Sequence, residues 1–155
     1  MQNIYHFVGR TTDRKPFIQS MHDKWTIETS RLKLLEKKKK LLPHAFVLMP
    51  NHFHLLAEIK TDFSVFDLDH TLSIRNFEIT NIKTYREIYC YIYMNPVRAG
   101  LTKAPHHYPY SLLHEKILNP LDAPRTYSKI PVGLGGIEGE MRWISLNKQS
   151  NTAWS

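Results

Sequence analysis

His52 and His54 lie two residues apart in Met49-Pro50-Asn51-His52-Phe53-His54-Leu55-Leu56. On a strand, side chains two apart share a face, so the imidazoles project together, roughly 6–7 Å apart at the backbone, while Phe53 points away. Two imidazoles at that separation can hold one divalent ion and leave positions open for water or a phosphate oxygen. A chain with nine histidines also places such a pair by chance, and strand histidines often only bond to neighbours. A second stretch is therefore needed. Tyr91 and Asn95 are four apart, and on a helix they stand one above the other, a phenol and an amide oxygen on one face.

The elements that must position these side chains follow from the flanking residues. The apolar runs at 45–49 and 55–59 are short and bounded by turn residues, which predicts two strands with Pro50-Asn51 as a tight turn between them. Residues 84–94 carry Tyr85, Ile88, Tyr89 and Ile92 at helical spacing, with Thr84, Glu87, Tyr91, Asn95 and Arg98 on a more polar stripe. Pro96 disfavours helix at Asn95 and limits how far that geometry extends; Gly100 suits the end cap. A first strand is expected over residues 4–8, ended by Gly9, with a basic loop after it. Ser20-Met21-His22-Asp23 has the form of a capping box, opening a helix to about Lys40 that buries Trp25, Leu32 and Leu35, with a break near Ser30. Its four lysines, Lys37 to Lys40, suit a solvated helix end. Strand, helix and hairpin make the first half of a ferredoxin-like sandwich, an α+β fold with helices packed on an antiparallel sheet.

Both chemistry-bearing stretches, in this order, resemble the single-tyrosine HUH transposases, and most of all the REP-associated tyrosine transposase branch. The second runs Tyr91-Ile92-Tyr93-Met94-Asn95-Pro96-Val97-Arg98-Ala99-Gly100, and Tyr108-Pro109-Tyr110-Ser111 resembles a further family motif. The resemblance covers about residues 3 to 115. It implies a ferredoxin-like domain of the HUH endonuclease type that nicks single-stranded DNA, in a hairpin or palindrome, through a 5′-phosphotyrosine. Tyr91 matches the nucleophile, His52 and His54 the metal ligands, and Asn95 the position of a third ligand, with Mg²⁺ or Mn²⁺ as cofactor. The loop after the first strand lies near DNA in that family, which makes Arg10, Arg14 and Lys15, together with Arg98, the candidate DNA contacts. Monomers and homodimers both occur there. The chain departs from the family between His54 and Tyr91. Residues 60–69 lack a helical period and residues 71–79 suit one strand, leaving no room for the basic helix commonly found there.

Composition bounds the remaining choices. The chain has 155 residues, enough for one domain with a real core, placed at residues 1–118 with an irregular C-terminal extension at 119–155. A formal net charge of +7 suits a polyanion. Cys90 alone excludes an internal disulfide framework; beside Tyr91 but on another helical face, it is read as packing. No signal peptide and no apolar run near the roughly 20 residues of a membrane span is seen, which predicts a cytoplasmic protein. His6 is read as a hydrogen-bonded structural histidine. His106 and His107, on opposite sides of an extended stretch, make a poor ligand pair, and a short helix is expected over residues 111–118. Two other classes compete: a catalytically impaired, transposase-derived DNA-binding protein, and a zinc hydrolase with a strand-borne His-x-His. The latter needs a barrel of roughly 250 residues.

If the charge excess meets phosphates, single-stranded DNA binding weakens steeply with salt, because each contact releases counterions. Fluorescence anisotropy from low to physiological salt measures this; a flat response means the basic residues only solubilise the surface.

Overall fold

The computed structural model describes residues 3–118. Strand β1 (Ile4–Arg10) leads through helix α1 (Met21–Lys37) into β2 (Leu41–Met49), and Pro50-Asn51 alone joins β2 to β3 (His52–Ile59). After a short insert come β4 (Ser73–Glu78), helix α2 (Ile82–Arg98) and helix α3 (Leu112–Leu118). The strands lie in the order β2-β3-β1-β4 and every neighbouring pair is antiparallel. The α+β class is as the sequence predicts, and among the described residues the sheet is an open four-stranded one rather than the barrel that a His-x-His hydrolase requires.

Alternation along the strands sends side chains to two cores. Phe7, Phe46, Leu48, Phe53, Leu55 and Ala57 pack with Trp25, Leu32 and Leu35 of α1. Ile4, Ala45, Val47, Met49 and Leu56 pack with Ile88, Tyr89 and Ile92 of α2 and with Leu113 of α3. Helices thus cover both faces of the sheet. Gly9 does not end the first strand: β1 continues to Arg10, and Gly9 sits opposite Phe53 of β3. A Cβ at Gly9 would come within 2.3 Å of the Phe53 ring, so glycine is there for a close cross-strand approach.

Helix α1 begins as its capping box predicts, with the Asp23 amide donating to the Ser20 hydroxyl at 3.1 Å. It passes Ser30 unbroken. The Thr29 hydroxyl donates back to the Trp25 carbonyl at 2.8 Å instead of opening the turn, and burial of Trp25, Leu32 and Leu35 holds the register. The lysine run ends the helix, with Lys39 at φ +56°. In the insert after β3 the one helical element is a 3-10 turn, Val65–Asp67, in keeping with the sequence reading that this stretch leaves no room for a further helix. Ion pairs tie this insert to the rest: buried Lys24 meets Asp69 at 2.5 Å and Glu28 at 2.9 Å, and Lys40 meets Asp67 at 3.2 Å. Burial raises the Asp69 pKa, but bonds from Lys24 and Thr71 outweigh it and hold the carboxyl below its ordinary range.

Asn81 caps α2 by accepting from the Thr84 amide, and the helix runs through Pro96 to Arg98 rather than loosening before it. Gly100, at φ +71°, then closes a Schellman end: its amide donates to Val97 and the Leu101 amide to Pro96. Residues 105–107 are a 3-10 turn, not extended chain, which brings the rings of His106 and His107 to 4.2 Å. Beyond it the Tyr108 hydroxyl donates to the Leu48 carbonyl, the Leu48 amide donates to Tyr110, and Ser111 bridges to Val47. The Tyr-Pro-Tyr-Ser stretch therefore covers the outer edge of β2. No helix among the described residues is long and apolar enough to cross a membrane. The expected extension at 119–155 lies outside the described residues.

Gly9→Ala is expected to cost about 1–3 kcal/mol, as overpacking of a filled contact does. Urea unfolding measures the loss, and a neutral outcome would mean that the Phe53 ring moves aside freely.

Candidate active site

The hairpin register turns His52 and His54 toward α2, and α2 lays Tyr91 against His54. The Tyr91 ring stands perpendicular to His54 with centroids 5.4 Å apart, and His52 and His54 are themselves perpendicular at 5.1 Å. From β1, His6 stacks on His54, with its Nε2 3.0 Å from His54 Nδ1, and its ring lies 6.5 Å from Tyr91. His54 is fully buried and Tyr91 is 3% exposed; His52 and Asn95 keep some access to solvent. Asn95 follows Tyr91 by one turn, and its amide nitrogen is buried without a hydrogen bond among the described residues. Arg98, exposed at the helix end, places its guanidinium 4.8 Å from the centre of the Tyr91 ring.

Asn51 does more than turn the chain. Its Nδ2 donates to the Arg14 carbonyl at 2.7 Å, so its Oδ1 is the end that meets His52 Nδ1, also at 2.7 Å. An amide oxygen only accepts, which makes His52 Nδ1–H the donor and leaves the lone pair of the neutral ring on Nε2. His54 Nε2 is buried without a hydrogen bond among the described residues, while its Nδ1 is engaged by His6. A neutral His6–His54 pair shares one proton across that contact. When His54 Nδ1–H donates, its Nε2 also carries a lone pair, and both strand imidazoles offer the nitrogen that binds a metal. The residues present thus fit a divalent ion at the two Nε2 atoms. No three His, Cys, Asp or Glu side chains among the described residues are grouped to hold one, so oxygen donors such as Asn95, water or substrate must complete the shell.

Burial sets the charge state. It pushes the pKa of His6 down to about 4, and that of His52 to about 4 with help from Arg10. His54 lies well below its ordinary value through burial first, then the neighbouring His6, His52 and Arg10. Burial also lifts the Cys90 thiol to about 12, in keeping with a packing role in the core.

Of the basic residues singled out in the sequence, Arg10 ends β1 directly opposite His52, and Arg14 and Lys15 are exposed in the loop that follows. Arg14 has φ +61°, a conformation held by the bond from Asn51 to its carbonyl. Asn51 is the residue that reading by motif undervalues: turn chemistry explains its presence, and only its two side-chain bonds reveal what else it orients. His6 carried a weaker signal, its place at an inward position of a short alternating strand.

Fold and site together define an antiparallel α+β domain with a histidine pair on the central hairpin and a tyrosine on the covering helix. A solved structure of the REP-associated tyrosine transposase bound to a REP hairpin has this fold. It matches with a TM-score of 0.63 at 20% identity, over 77% of this chain and 81% of that one. No protein-family model matches the chain. No curated protein matches it in sequence.

The depressed histidines give a pH dependence of definite sign. Each is protonated more readily in the unfolded chain, ordinarily near pH 6.5, than in the fold, near 4 for His6 and His52. Their contribution to stability is complete above about pH 6.5 and drains away as pH falls toward 4. Denaturant midpoints measured across that window are expected to drop, and the drop should shrink in His6→Gln; an unchanged midpoint would mean the imidazoles protonate in place.

Proposed function

We propose that the protein is a metal-dependent endonuclease and strand transferase for single-stranded DNA, acting at hairpins through a 5′-phosphotyrosine at Tyr91. The observation that carries this reading is the Tyr91 ring standing on His54, with His52 beside it and nitrogen lone pairs directed away from the supporting hydrogen bonds. The fold likeness to a hairpin-bound transposase supports the choice of DNA as substrate.

A DNA phosphodiester resists nucleophiles because its negative charge repels them. His52 and His54 would hold Mg²⁺ or Mn²⁺ through Nε2, with the Asn95 oxygen as a third donor, and the ion supplies charge neutralisation and orientation of the phosphoryl group. Tyr91 Oη attacks phosphorus, the new P–O bond to tyrosine forms, and the bond to the 3′-oxygen breaks. The phenolic proton passes to solvent and the leaving 3′-oxygen is protonated in turn. Arg98, stacked on the Tyr91 ring, places a cation beside the developing phosphotyrosine. The 5′-phosphotyrosine conserves the phosphodiester energy, so a 3′-hydroxyl from another strand reverses the step and joins new DNA. His6 and Asn51 act through the imidazoles they hold. Arg10, Arg14 and Lys15 supply phosphate contacts beside the site.

The near-complete burial of Tyr91 and His54 favours one second reading, a DNA-binding protein whose nucleophile no longer meets phosphate. One experiment separates the two. With Mn²⁺ and a labelled hairpin carrying single-stranded flanks, the unaltered protein should form a covalent adduct visible on a denaturing gel. Tyr91→Phe should abolish the adduct while hairpin binding persists, His52→Ala or His54→Ala should block nicking, and Asn95→Ala should be milder because water replaces one neutral ligand. An adduct that survives Tyr91→Phe assigns the chemistry to another tyrosine; tight binding without nicking by the unaltered protein selects the second reading.

A further inference from the structure

The α2-facing side of the sheet continues past the histidines onto β1 and β4. Register aligns His54 of β3, Val8 of β1 and Arg75 of β4 in one cross-strand row, and His52, Arg10 and Ser73 in the next. Residues opposite one another on neighbouring strands share a face, so these rows run from the histidine pair toward the β4 edge. At roughly 4.8 Å per strand, the backbone of Arg75 lies about 10 Å across the sheet from that of His54. An open groove of about 490 Å³ lies over the outer part of the rows, lined by Arg10, Arg14, Arg75, Thr11, Thr12 and Ser73 around Val8.

Three guanidiniums and the hydroxyls of Thr12 and Ser73 line this groove, the Thr11 hydroxyl already donating to the Lys15 carbonyl at 2.8 Å, and among the described residues no carboxylate lines it. The nearest acid in sequence, Asp13, is turned onto the Lys15 amide at 3.0 Å. Arg75 lies along the sheet, its guanidinium 5.9 Å from the centre of the Phe77 ring, which limits its freedom before any ligand arrives. Guanidinium forks and hydroxyl donors around an apolar floor recognise phosphate oxygens. We propose that this groove is a backbone track for single-stranded DNA, in which Arg75 grips a phosphate of the flank adjoining the one presented to His52 and His54. The proposal rests on the DNA-nicking function above for its substrate, and it adds Arg75 and the β4 edge to the surface that holds it. A single strand fits the geometry because the track leads directly to a site that acts on one phosphate.

Anisotropy without metal tests this apart from catalysis. The probes are a labelled DNA hairpin with single-stranded flanks and the same hairpin with none. Arg75→Ala should weaken binding of the flanked hairpin severalfold, make its log–log salt slope shallower by about 0.7, as for one lost single-strand phosphate, and leave the flankless hairpin unchanged. Arg75→Lys, which keeps the charge without the fork, should restore the slope but only part of the affinity, and it serves as the probe should the alanine variant melt early. Equal weakening of both hairpins assigns the groove to duplex and overturns the proposal, as does no change in either. Arg75-dependent binding by a protein that never nicks would sink the catalytic reading and leave the track standing.

Discussion

The two-residue period of β3 is the constraint on which the rest depends. His52, His54 and Leu56 face α2, and Phe53, Leu55 and Ala57 face α1. A slip of one residue would exchange the two sets, burying imidazoles against Trp25 and turning Phe53 toward Tyr91. Three features hold the register. The two-residue turn fixes where β3 begins, Gly9 admits the Phe53 ring, and antiparallel neighbours pair β3 on both sides. The site's geometry is therefore a by-product of core packing on the opposite face of the sheet.

Burial of three imidazoles costs stability that an apolar trio would not, since each must stay neutral and each polar nitrogen needs a partner. The fold meets part of that need with hydrogen bonds. Asn51 selects the tautomer of His52, and His6 gives His54 a partner and orients its ring. Such partners turn a pair of histidines at the right spacing into a pair with fixed ring orientation, which spacing alone never guarantees.

Much of this was legible in the sequence, and the failures share a cause. Ser20, Pro50-Asn51 and Gly100 act locally, through caps and turns that a few neighbouring residues define, and each stands where those rules put it. Gly9, Ser30 and Pro96 were read by the same local rules and behave otherwise, because distant packing decides them. Gly9 answers to Phe53 across the sheet, while burial of Trp25, Leu32 and Leu35 carries α1 past Ser30. Buried Tyr93, Met94 and Pro96 keep α2 helical to Arg98. The histidine pair and Tyr91 were visible as motifs. The hydrogen-bonded role read for His6 is borne out, but its partner depends on β1 and β3 becoming neighbours, and Asn51 was read for its turn chemistry alone.

Asn51 also joins two parts of the surface through one side chain. One amide group holds the Arg14 carbonyl at one end and His52 Nδ1 at the other, with nothing between them but its own planar frame. An anion that shifts the Arg14 loop changes the restraint on the His52 ring, and a cation that draws on the ring changes the restraint on the loop. Linkage requires the two effects to be equal in free energy, so whatever an anion on the loop would do to a cation's affinity for the ring, the cation would do in equal measure to the anion's. Through a single asparagine side chain, the loop and the imidazole share one hydrogen-bonded frame.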